Sequence, residues 1–85
     1  MLDLSDVLFV KRIVVGTLNP AEPVSEPVNE AQVQLLNRCL HGLPRGHIIA
    51  IEKPLTRVEI DERIEVSQAV IYHVGFSRRP LWMED

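Results

Sequence analysis

Ile64 to Phe76, IEVSQAVIYHVGF, is the stretch whose reading decides the fold. Ile64, Val66, Val70, Tyr72, Val74 and Phe76 share one parity, interrupted by Gln68 alone. The other parity carries Glu65, Ser67, Ala69, Ile71, His73 and Gly75. Alternation with a period of two marks a strand whose faces meet different surroundings. The branched and aromatic residues also suit a pleated, half-buried surface. At about 3.3 Å per residue, such a strand would run roughly 43 Å if straight. A compact domain of this length has a diameter of only roughly 30 Å. The strand must therefore bend, with Ser67-Gln68 or Gly75 as bulge sites, or project and pair with another chain.

Upstream, Asp61-Glu62-Arg63 forms a charged turn, and Thr56 to Ile60 has strand character, so the two runs make a hairpin. Before them, His47 to Lys53 is a further strand, and Pro54 denies a ladder bond where it ends, bulges or meets an edge. Val28 to Leu40 is the helix candidate: Ala31, Leu35, Leu36, Cys39 and Leu40 form an apolar stripe. Ser25 or Asn29 can cap its start. Gly42 suits a left-handed stop and Pro44 prevents continuation. Val7 to Leu18 is the first strand, apolar on both parities and broken by Lys11 and Arg12. A strand apolar on both faces is usually interior or covered. The two basic residues place it at an open edge or kink it.

The expected fold is a single α+β domain of order β-α-β-β. It has a small mixed sheet of three to four strands with one amphipathic helix on one face. The first two strands run parallel through a right-handed crossover. Residues 1–6 read as a loose lead-in, 19–27 as a proline-rich crossover, and 77–85 as a tail without periodicity.

Composition narrows the function classes. At 85 residues the chain fits one domain, and 46% apolar residues allow folding by burial alone. The lone Cys39 has no internal disulfide partner, as expected of a reducing compartment. No apolar run is long enough to span a bilayer. The expected location is the cytoplasm, with no membrane association. A formal net charge of −3 gives no overall attraction to nucleic acid.

No motif carries specific chemistry. Cys39 and His41 are two apart, so a helix does not present them together. Neither they nor His47 and His73 match a zinc spacing. Cys39 near a helix C-terminus is placed wrongly for a stabilised thiolate. Gly42-Leu43-Pro44-Arg45-Gly46 follows a helix rather than opening one, unlike a phosphate loop. Glu59, Asp61, Glu62 and Glu65 crowd a polar turn beside Arg57 and Arg63. No catalytic residue, metal or cofactor is therefore expected.

The least explained stretch is Arg78-Arg79-Pro80-Leu81-Trp82. Arginine and tryptophan are enriched in interface hot spots. The segment reads either as a contact element or as a lid closing the core. The leading expectation is a non-catalytic interaction or regulatory module. It would act through a sheet edge or face, with Arg78, Arg79, Leu81 and Trp82 as contact residues, on a protein partner or a second copy. A nucleic-acid binder using Lys11, Arg12 and Arg45 with Arg78 and Arg79 ranks lower, because aromatic residues are only 5% of the chain. The third reading is a small-ligand domain or enzyme accessory subunit, with a pocket under the helix lined by His47, His73 or Tyr72. The ending YHVGFSRRPLW (72–82), with the hairpin before it, resembles short uncharacterised proteins of cyanobacterial type over the second half of the chain. That resemblance implies no activity.

Overall fold

β5 (Gln68–Phe76) is the strand on which the structure is built. The computed structural model describes residues 4–18, 25–55, 57–66 and 68–83, without the side chains of Val58 and Ile60. β5 lies in the middle of a three-stranded sheet, between β1 (Phe9–Thr17) and β2 (His47–Glu52). It runs antiparallel to both. β1 and β2 therefore point the same way, as a crossover through a helix requires, but they are not neighbours. The C-terminal strand fills the gap between them, so every ladder in the sheet is antiparallel.

The long alternating run is divided. β4 (Arg63–Val66) pairs with β3 (Arg57–Ile60) in a separate two-stranded ladder, and β5 resumes at Gln68. Ser67 and Thr56 lie outside the described residues. Pro54 lies in the connection between β2 and β3, so the run from His47 to Ile60 is divided into two strands rather than one. The β3–β4 loop has Asp61 at φ 49° and Glu62 at φ 65°. Positive φ at both central residues is what a type I′ hairpin turn requires. The result is elongated: the principal extents are 48 × 26 × 19 Å. The radius of gyration is 15.2 Å, against roughly 12 Å for a compact chain of this length.

α1 (Glu26–His41) covers one face. The Ser25 hydroxyl accepts from the Val28 amide and caps the start. The helix begins two residues before the expected Val28, because proline is tolerated in a first turn whose amides have no helical partner anyway. The expected 19–27 crossover is shortened accordingly, and residues 19–24 lie outside the described residues. Ile13, Cys39, Val74, Phe76 and Met83 form the buried cluster, with Phe9, Val15, Leu35, Leu36, Tyr72 and Trp82 packed around it. The Phe9 and Phe76 rings meet at 6.0 Å between centroids. Odd residues of β1 and even residues of β5 thus face the helix.

Two expectations change here. Among the described residues β1 pairs with β5 alone, so the interior position suggested by its two apolar parities does not hold, and of the two alternatives for Lys11 and Arg12 the open edge stands rather than the kink. Gly42 adopts φ −76°, ψ −177°, not the left-handed conformation. Its missing side chain is needed for space: a Cβ there would lie 2.9 Å from the Arg38 carbonyl and 3.1 Å from Trp82 Nε1. Gly16 does occupy positive φ, 100°, where a Cβ would overlap the Gln68 carbonyl. The Gly16 amide donates to Asn29 Oδ1 at 2.8 Å, tying β1 to the helix. Leu4–Asp6 form a single 3-10 turn that closes onto β5 through Leu8 N–H to the Phe76 carbonyl. The described part of the lead-in is thus attached to the sheet.

Candidate functional site

Where α1 lies determines which parts of the sheet stay open. The helix packs on the β1 side, so β2 carries its helix-side residues largely uncovered. Ile48 pairs with Val74 and Ile51 with Tyr72, which places both isoleucines on the face of the buried cluster. Yet Ile51 is 54% exposed and Ile48 41%. Among the described residues no strand pairs with the outer edge of β2. The register of β2 shifts between Ile48 and Ala50, and Pro54 lies two residues beyond its end. A short edge, bulged and closed by a proline, is guarded against indiscriminate pairing. It still offers main-chain groups beside an apolar strip.

The tail folds back at the end of the sheet where β2 begins, since His47 pairs with Gly75. Arg79 donates from Nη2 to the Met83 carbonyl at 2.9 Å, and Pro80 and Met83 are buried. Trp82 is half-buried against the cluster, with Arg38 stacked 4.2 Å above its ring centroid. Its Nε1 is buried and has no hydrogen-bond partner among the described residues. Leu81, by contrast, is 96% exposed, and Arg78 is exposed too. An open depression of about 420 Å³ is lined by Arg79, Pro80, Leu81 and Met83. Of the four expected contact residues, then, Arg79 and Trp82 hold the tail in place, while Arg78 and Leu81 are presented to solvent.

The expected basic set is not gathered into one patch. Arg45 donates to the Leu40 carbonyl at 3.1 Å, at the helix end near the tail. Lys11 and Arg12 sit on opposite faces of β1, and Arg12 stands across from His73. On the face away from the helix, His73 donates from Nε2 to Oε1 of Glu52, linking β5 to β2. The pocket expected under the helix does not form from its three named residues. Tyr72 faces the helix, whereas His73 and His47 belong to the other face. Cys39 is fully buried, and desolvation pushes its thiol pKa up despite Lys11 and Arg38 nearby. That makes it a poor nucleophile. No group of three or more metal-ligating side chains exists among the described residues. Nor is any described helix long and apolar enough to cross a membrane.

Comparison with protein-family models, curated proteins and solved structures returned no match. The functional reading therefore stands on the geometry. Sequence reasoning missed Ile48 and Ile51, although Pro54 directly after the His47 to Lys53 run is the signal that marks β2 as a candidate edge.

Proposed function

We propose that this protein is a non-catalytic interaction module that receives an extended segment of a protein partner along β2. The observation that carries this reading is the exposure of Ile48 and Ile51 on the helix-side face of an unpaired edge strand. A strand added to that edge gains main-chain hydrogen bonds, and its alternate side chains cover the two isoleucines. Arg78 and Leu81 lie at the end where β2 begins. They suit a partner segment that ends in an apolar residue and a carboxylate. Charge-assisted bonds to arginine would then fix its register.

Panning a random-peptide library against the protein tests the reading. The expected products are extended peptides with alternating apolar residues, enriched on the wild-type protein and lost on Ile51→Lys. Charge on an edge strand blocks pairing without disturbing a buried contact. Peptides that bind Ile51→Lys equally well, or no enrichment at all, would exclude β2 as the receiving edge.

A further inference from the structure

Among the described residues the β3–β4 hairpin packs chiefly on itself rather than on the body. Each of its strands is four residues long, and its principal packing is of one strand on the other. A lone two-stranded hairpin is at best marginally stable in water. Register places Arg57 beside Val66 and Glu59 beside Ile64, all on one face. All four are exposed, with Ile64 at 70%, whereas Glu65 on the opposite face is half-buried. The outward face therefore has a charged row on β3, positive then negative, and an apolar row on β4.

That pattern complements itself under one rotation. A two-fold axis crossing the strands at right angles, between Arg57 and Glu59, lays one hairpin face on another with the arms antiparallel. Arg57 then meets Glu59 of the second copy, Glu59 meets its Arg57, and Ile64 lies against Val66. A two-fold axis along the strands instead puts each charge over an isoleucine or valine, which costs desolvation without pairing. We infer that the hairpin is a dimerisation arm whose occupant is the same face of a second copy of this chain. The two bodies lie at opposite ends of the paired arms. The face has four residues, far fewer than the roughly 20–30 a side of a standard stable interface, so the dimer is weak and concentration-dependent. This contact is separate from the β2 edge and stands or falls independently of it.

Sedimentation equilibrium from about 10 μM to about 1 mM, a range that brackets weak association, reads the effect. The wild-type mass is expected to climb from one chain toward two. Arg57→Glu and Glu59→Arg each place like charges across the axis and should weaken association at least about tenfold. The double reversal Arg57→Glu/Glu59→Arg restores opposite charges and should restore the dimer. Ile51→Lys in β2 should leave it unchanged. Circular dichroism checks that each variant is folded, and Ile64→Lys serves as a further disrupting variant if either single reversal is not. A wild-type mass of one chain throughout overturns the inference. So do single reversals that associate like wild type, a double reversal that stays monomeric, or loss of the dimer in Ile51→Lys.

Discussion

β5 is bonded to β1 along its whole length and to β2 over most of it, with a helix and a folded-back tail on one face. β4 ends two residues before β5 begins, in the same alternating run of sequence, yet it is bonded to β3 alone. The same residue types thus serve two purposes. Val74 and Phe76 are fully buried, while Ile64 is 70% exposed. Alternation specifies a strand in both places, but whether a strand is stabilised depends on what covers its apolar face. In the body that cover comes from α1 and Met83, and in the arm it is not supplied by the described part of the chain.

The largest effect separating the two regions should come from Phe76→Ala. Removing a fully buried ring from the cluster should cost about 4 kcal/mol in urea unfolding. For a chain of this size, with about 4–13 kcal/mol of stability available, that is about a third of it or more. A loss below about 1 kcal/mol would mean that the body is not held by this cluster.

Trp82 sharpens the contrast within the tail. Trp82→Ala should cost about 3 kcal/mol, because the indole packs on the core under Arg38. Trp82→Phe should recover most of that loss. It keeps an aromatic ring and removes a buried N–H that lacks an acceptor, a group worth about 1–3 kcal/mol in lost solvation. If alanine and phenylalanine were equally mild, the tail would not be docked as described.

In the arm, Glu62→Gly should stabilise the turn by about 1 kcal/mol, since glycine accepts positive φ without steric cost. Amide exchange in β3 and β4 should slow while global unfolding barely moves. An equal gain in global stability would show that arm and body unfold as one unit.

The last effect appears only in alkaline solution. In the unfolded chain Cys39 ionises near its ordinary value of 9.0, and burial pushes it higher in the fold. Between the two values the folded state keeps a proton that the unfolded state releases, so stability falls as pH rises above 9.0. The body of Cys39→Ala should lack this alkaline slope, and a slope unchanged by the substitution would assign it to other groups.

How much of this was legible differs from element to element. The helix stripe, the hairpin and the strand preference of β5 were visible, because each rests on local periodicity. The edge position of β1 was legible only as one of two readings of Lys11 and Arg12. Its two apolar parities suggest an interior strand, whereas here one parity faces the core and the other carries exposed Val10 and half-buried Val14. Nothing local to β1 or β2 announces that a strand from the end of the sheet's sequence will come between them. The tail's division of labour was equally hidden. Trp82 docks in space that Gly42, forty residues upstream, leaves empty, and that glycine also makes sense as a helix stop. Arg78 and Leu81 remain in the candidate site, with Ile48 and Ile51 added by the position of α1.

The central placement of β5 also bears on how the chain comes off the ribosome. β1 is made early, but its sole described ladder partner is the last strand of the sheet, and the same holds for β2. Neither can form a ladder until the polypeptide through Phe76 has left the exit tunnel. During synthesis Val10, Val14, Ile48 and Ile51 are therefore carried on unpaired strands, the state in which chains associate wrongly. The sheet closes late and over long sequence separations, which makes its folding slow for its size. Emergence of β5, rather than stepwise growth from the amino terminus, sets the moment at which this sheet can close.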